Sequence, residues 1–140
     1  MSNLTDILTQ RIVILDGAMG TMIQRYNLSE DDFRGVEFMH HSHRLEGNND
    51  VLVLTRPDVI SAIHRQYLEA GAEIIETCTF NSQTISQAEY GLQNQVRRLN
   101  IEAAQLARNE VDRMNAITPE RPRFVAGSVG PTAKRPMLGV

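Results

Sequence analysis

Apolar positions along this chain fall into short continuous runs that alternate with longer amphipathic stretches. Residues 11–15, RIVIL, form a continuous apolar run that reads as a buried strand ending at the turn Asp16-Gly17-Ala18-Met19-Gly20. Residues 21–49 lose that pattern, passing from a short helical stretch into a polar segment rich in His, Gly and Asn. That is long for a connection in a compact domain, and such segments are functional or disordered. Order returns at Asp50, where VLVL precedes Thr55-Arg56-Pro57, with the proline suited to a helix's first turn. A helix over 58–70 follows, with Ile60, Ile63 and Tyr67 on one face and Gly71 placed for a left-handed helix end. Residues 73–80, EIIETCTF, are short and β-branched and read as a second strand. A second helix over 94–114 carries Leu99, Ala103, Leu106 and Ala107 on one stripe and is broken by Thr118-Pro119-Glu120-Arg121-Pro122. Residues 124–128, FVAGS, give a third strand, ending at Val129-Gly130-Pro131-Thr132. Strand, helix, strand, helix, strand is the order of an α/β fold, a parallel sheet covered by helices with its ligand site at the carboxyl ends of the strands. No internal repeat or low-complexity tract interrupts it.

Composition narrows the function classes. With 41% hydrophobic and 22% charged residues the chain is of ordinary globular make-up, forming one domain or part of one. Fourteen basic and 17 acidic residues give a formal charge of -3, leaving no positive surplus for a phosphate backbone, so nucleic acid is not an expected partner. No apolar run approaches the roughly 20 residues of a membrane helix, and the opening residues lack a secretory pattern, which predicts a cytoplasmic protein with no membrane partner. Cys78 is the sole cysteine, so no intramolecular disulfide can form.

The three strand ends collect the unusual residues. Asp16-Gly17 follows the first, Glu76-Thr77-Cys78-Thr79-Phe80-Asn81 occupies the second, and Ser128 and Gly130 close the third. Backbone N–H groups freed by glycines can hold a carboxylate, and Asp16 and Glu76 can hold an ammonium, so an amino acid is a sensible ligand. Tight turns with caps are the alternative reading of the same residues. The DGAMG turn lacks the Lys-Ser/Thr ending of a phosphate loop and the spacing of a dinucleotide fingerprint, which disfavours a nucleotide. Cys78 reads as a buried, inert thiol. His40, His41 and His43 read as solvent-facing rather than metal-ligating, and His64 as a surface or boundary residue.

The stretches 15–24 (LDGAMGTMIQ), 47–50 (GNND), 75–82 (IETCTFNS) and 126–132 (AGSVGPT) resemble the start of the homocysteine-binding domain of methionine synthases. Phe33-Arg34-Gly35 and Gly47-Asn48-Asn49-Asp50 favour the cobalamin-dependent kind over betaine-dependent relatives. The resemblance implies a partial (β/α)₈ TIM-type barrel, about the first three strand-helix units, with residues 1–140 forming a truncated homocysteine-binding domain. It implies that Asp16 and Gly17 contact the amino-acid portion of homocysteine while Ala18 and Met19 offer backbone groups. Glu76, Thr79 and Asn81 would line the second-strand side, and Ser128 and Gly130 the third.

In that family a zinc ion held by three cysteines of later strands, a lone Cys and a Gly-Gly-Cys-Cys pair, keeps the substrate thiol deprotonated for attack on methylcobalamin. Those cysteines are absent here and Cys78 aligns with none of them. Neither zinc nor cobalamin is therefore expected to bind this piece, and no catalytic or metal-ligating residue is assigned. The tail 133–140 resembles the family poorly, which predicts a truncated chain, inactive alone. In the full-length family enzyme its partners are homocysteine and the folate, cobalamin and reactivation modules of the same polypeptide. Two alternatives stand beside this reading: a homocysteine methyltransferase using betaine or S-methylmethionine as donor, and a non-catalytic truncated interaction module.

Overall fold

A computed structural model describes residues 3–132; the tail 133–140, expected to diverge from the family and to hold no further strand, lies outside them. Helix α5 (Pro57–Glu69) begins with proline at its first turn and ends where Gly71 adopts φ +110°, a conformation that favours glycine. The chain, which opens with helix α1 (Leu4–Leu8), then enters strand β1 (Ile74–Glu76) and, after the short helix α6 (Thr84–Gln87) and the long helix α7 (Val96–Ile117), strand β2 (Phe124–Ala126). The two strands pair in parallel, Ile74 with Phe124, Ile75 with Val125 and Glu76 with Ala126. Side chains of α5 (Leu68), β1 (Ile75), α7 (Ala107, Val111, Met114) and β2 (Val125) share one apolar cluster, so both helices cover the same face of the sheet. The result is a mixed α/β architecture with a small parallel sheet.

The strands are shorter than the apolar runs predict. The stretch 11–15 contributes one bridge, Leu15 to Ile74, beside β1 and opposite β2. It is not the buried strand expected: Ile12, Ile14 and Leu15 are 88%, 57% and 50% exposed. Pairing on one side only and the absence of any described element over its outer face account for that exposure. Residues 77–80 and 127–128 leave the ladder because β2 ends at Ala126. The Thr77 N–H still donates to the Ala126 carbonyl at 2.9 Å, and beyond it the hydroxyls of Thr77 and Thr79 take up the Ser128 N–H and carbonyl. Helix α7 runs three residues past the expected Met114 and stops at Thr118, before Pro119.

The segment 21–49, expected as a functional or disordered loop, is ordered by buried anchors and charged side chains. Helix α2 (Met19–Gln24) leads into helix α3 (Glu30–Arg34), which starts with a reciprocal capping box between Ser29 and Asp32. The Glu30 carboxylate accepts the backbone N–H groups of Leu45 and Glu46 at 3.0 and 2.6 Å, and Arg34 donates to the carbonyls of His41 and His43 at 2.6 and 2.9 Å. Phe33, Phe38 and Leu45 anchor the segment in the main core with Leu52, Ile60, Ile63 and Leu99. Helix α4 (Leu52–Thr55), from the VLVL run, joins the same core. Ser29→Ala removes the acceptor for the Asp32 N–H and is expected to destabilise the chain by about 1 kcal/mol in urea unfolding, with an unchanged m-value.

His64 departs from its expected surface or boundary position. It is 0% exposed, because α5 packs against α2, α4, α7 and β1 and so buries a wider face than the stripe of Ile60, Ile63 and Tyr67 implies. His40 and His43 are exposed, whereas His41 is half-buried with its Nε2 2.7 Å from the Tyr90 carbonyl.

Candidate functional site

A cavity of about 450 Å³ opens at the carboxyl ends of the strands. Its walls include Asp16, Gly17, Ala18 and Met19 from the first turn, Glu76 and Asn81 from β1 and its loop, and Ser128 beyond β2. The structure thus brings together seven of the residues singled out from sequence. Thr79 and Gly130 are not in the lining. Thr79 is buried behind it, and Gly130 packs on Phe80, whose carbonyl accepts the Gly130 N–H at 2.9 Å. A Cβ at Gly130 would lie 2.5 Å from that same oxygen, so this position requires glycine for close approach.

The first turn is held from two sides. The Asp16 N–H donates to the Ile74 carbonyl at 2.9 Å, and Asp16 Oδ2 accepts the Glu76 N–H at 3.1 Å. Tyr67 of α5 lies under the turn, its hydroxyl 3.4 Å from the Ala18 carbonyl, leaving a Cβ at Gly17 only 3.3 Å from the Tyr67 oxygen. Asp16 Oδ1 is buried with no hydrogen-bond partner among the described residues. Burial pushes the Asp16 carboxyl up to about 6, opposed by the Glu76 N–H bond and aided to a smaller extent by the Glu76 charge. A carboxylate in that condition is poised for a cation.

Hydroxyl groups close the gap between the β1 and β2 loops. The Ser128 N–H donates to Thr77 Oγ1 at 3.0 Å, Thr77 and Thr79 hydroxyls lie 2.7 Å apart, and Thr79 Oγ1 donates to the Ser128 carbonyl at 2.7 Å. Because a carbonyl only accepts, Thr79 spends its proton on Ser128 and Thr77 must donate to Thr79. The bonds form a closed circuit that fixes Ser128 at the cavity wall.

Sequence reasoning missed Gly20, Asn49, Asp50, Thr77, Cys78 and Phe80 as lining residues. The signal for Asn49 and Asp50 was available in the Gly47-Asn48-Asn49-Asp50 motif, which carries a resemblance but no chemistry until its long-range contacts are seen. Asp50 is 3% exposed and its Oδ2 accepts the Asn81 N–H at 2.7 Å and the Ser82 hydroxyl at 2.8 Å. Burial raises the Asp50 carboxyl above its ordinary range, with those two bonds opposing. Among the described residues the lining holds three carboxylates, Asp16, Asp50 and Glu76, and no Lys, Arg or His.

Zinc does not fit this donor set. The one thiol, Cys78, is buried, lies 3.6 Å from the Asn49 carbonyl, and is held protonated because burial pushes its pKa well above the ordinary thiol value. No group of three or more His, Cys, Asp or Glu among the described residues could hold a metal ion.

The fold and cavity together define the class as a mixed α/β protein with an acidic pocket beyond its parallel strands. The family model for homocysteine S-methyltransferase matches residues 13–138, and the chain belongs to that family. Among solved structures it is similar to the homocysteine methyltransferase MmuM from Escherichia coli. The metallated form matches with a TM-score of 0.70 and 26% identity over 91% of this chain and 41% of that one. The oxidized form gives 0.71 and 27% over 91% and 40%. The apo form, at 24% identity and a TM-score of 0.62, speaks to the fold alone. The chain thus spans 40 to 41% of the length of these structures. Among the described residues no helix is long and apolar enough to cross a membrane.

Proposed function

We propose that this chain supplies the amino-acid-binding part of a homocysteine methyltransferase, holding homocysteine while its sulfur accepts a methyl group to give methionine. The observation that carries the reading is Asp16, half-buried in the cavity with one oxygen unpartnered among the described residues. An α-ammonium placed between Asp16 and Glu76 supplies the missing donor and relieves the repulsion between the two carboxylates. The Gly17-Ala18-Met19 turn faces the α-carboxylate with backbone N–H groups, and Asn81 and Ser128 bound the remainder of the ligand. In the reaction the homocysteine thiolate forms a new S–C bond as the bond from methyl to donor breaks. Cys78 takes no part as a base, being held protonated itself.

The sequential order of the parallel strands, with α5 and α7 on one face, supports a partial (β/α)₈ barrel, and the 41% coverage of a similar structure supports a longer protein, whose place we propose to be the cytoplasm. In that protein, zinc ligands and the methylcobalamin, folate and reactivation modules come from outside this chain, as the methionine synthase resemblance implies. The chain alone is then inactive in methyl transfer but retains its half of the substrate site. One observation favours a second donor: a lining with three carboxylates and no basic group among the described residues attracts a small sulfonium or quaternary ammonium donor.

Calorimetric titration with L-homocysteine and with its des-amino analogue tests the reading. Binding of the first with at least about tenfold weaker binding of the second is expected, the size of a lost charge-assisted bond. Equal affinity for both removes the role given to Asp16.

A further inference from the structure

The Gly47-Asn48-Asn49-Asp50 motif enters the fold as a clamp, and its target is Asn81. We infer that Asp50, backed by the Asn48–Gln87 amide pair, is a positioning residue that fixes Asn81 on the cavity wall and so sets how the site fits its amino-acid ligand. The inference rests on the functional reading above and adds to it a specificity element.

Burying a carboxylate is costly unless strong bonds compensate. Asp50 is 3% exposed, yet it spends Oδ2 on two groups of one irregular segment, the Asn81 N–H at 2.7 Å and the Ser82 hydroxyl at 2.8 Å. No described residue bonds its other oxygen. The opposite side of the same residue is also held: the Asn81 carbonyl accepts Gln87 Nε2 at 3.2 Å. Gln87 is itself locked by a reciprocal pair with Asn48, Nδ2 to Oε1 at 2.8 Å and Nε2 to Oδ1 at 3.1 Å, with both side chains fully buried. Both peptide groups of Asn81 are therefore tied, directly or through one side chain, to residues of the motif, some 30 positions away in sequence.

Asn81 needs such a clamp because β1 has already ended at Glu76 and no strand ladder reaches it. Its backbone would otherwise be fixed only by local turn bonds, Ser82 N–H to Thr79 carbonyl and Gln83 N–H to its own carbonyl. Asn81 lines the cavity together with Asp16 and Ser128, so a shift of its backbone changes the room left for the ligand. A neutral side chain could fill the space of Asp50, but a carboxylate gives the stronger acceptor for two donors at once.

The test is a residue-resolved NMR titration of this chain and its variants with L-homocysteine and with L-cysteine, one methylene shorter. Asp50→Ala is expected to weaken homocysteine binding about tenfold or more and to narrow the preference over cysteine by about threefold or more. Asp50→Asn, whose carboxamide oxygen can still accept both bonds, is expected to recover most of that loss. Gln87→Met, which releases the Asn81 carbonyl and leaves the Asn48 amide without its reciprocal partner while keeping both Asp50 bonds, should weaken binding by about threefold. It serves as the second probe if Asp50→Ala shows no cooperative unfolding transition. Unchanged affinity and selectivity in folded Asp50→Ala or in Gln87→Met overturn the inference while leaving the functional reading intact. Asp50→Asn as weak as Asp50→Ala overturns it too, because charge and not placement would then be responsible. A wild-type chain that does not bind homocysteine overturns the functional reading itself and this inference with it.

Discussion

Asp16→Ala is expected to lower homocysteine affinity by roughly 30-fold or more, the equivalent of about 2 kcal/mol for a charge-assisted bond in a half-buried site. Calorimetry at pH 7.5 measures it. The same residue makes binding pH-dependent with a definite sign. The Asp16 carboxyl stands at about 6 in the folded chain against an ordinary 3.8. Acidification through about pH 6 protonates it and removes the ammonium's partner, so affinity should fall there in the wild type and not in Asp16→Asn.

Stability runs the other way. A carboxyl whose folded pKa is raised contributes stability that is full below its unfolded value, near pH 4, and lost as pH rises through about 6. At pH 7 the ionised Asp16 is therefore a cost to the empty protein. Asp16→Asn should raise thermal stability by on the order of 1 kcal/mol after discounting for its partial exposure to solvent. A variant that binds worse and melts higher is the signature of a group kept for a ligand rather than for the fold. An Asp16→Asn chain that both binds and melts like the wild type would contradict both assignments.

His64→Leu carries the second large effect. Both ring nitrogens of His64 are buried without a partner among the described residues, and burial depresses its pKa to about 4, with Glu110 opposing. A base depressed from 6.5 contributes stability that is present above the unfolded value and is lost as pH falls from 6.5 through 4. The full loss corresponds to about 3 kcal/mol. Denaturant unfolding between pH 7 and 4 should show the wild type losing stability over that window and His64→Leu largely escaping the loss. Leucine also removes two unsatisfied polar atoms at similar volume, so a gain of about 1–2 kcal/mol at pH 7 is expected. Since Asp16 gains stability over part of the same window, the double variant with Asp16→Asn isolates the histidine term. A wild-type stability that stays level from pH 7 to 4 in the Asp16→Asn background would refute the buried neutral imidazole.

The alternation of strand and helix was legible because Ile60, Ile63, Leu99, Ala103 and Ala107 recur at helical spacing and do face the core. Strand lengths were not. Ile12 and Thr77–Phe80 look like strand by residue type, but pairing depends on a neighbour, and β2 reaches only to Ala126. His64 could not be placed from a stripe of apolar residues because its burial comes from the number of elements packed around α5. The Asp16 to Met19 turn was readable as chemistry, since a glycine-bearing turn after a strand exposes backbone and a carboxylate together. Asp50 was not, because its role depends on Asn81 and Ser82, about 30 residues onward, and such contacts leave no local pattern. Gly130 illustrates the limit of carrying a role over by resemblance. Its proximity to Phe80 gives a packing reason for glycine, whatever ligand the cavity holds.

The most direct test of the account is a two-dimensional NMR titration of the isotopically labelled chain with L-homocysteine. The account predicts shift changes concentrated at Asp16 to Gly20, Glu76 to Asn81 and Ser128, saturating with one ligand per chain and abolished or much weakened in Asp16→Ala. Changes scattered over α7 and the exposed 11–15 stretch, or saturable binding that Asp16→Ala leaves intact, would contradict it.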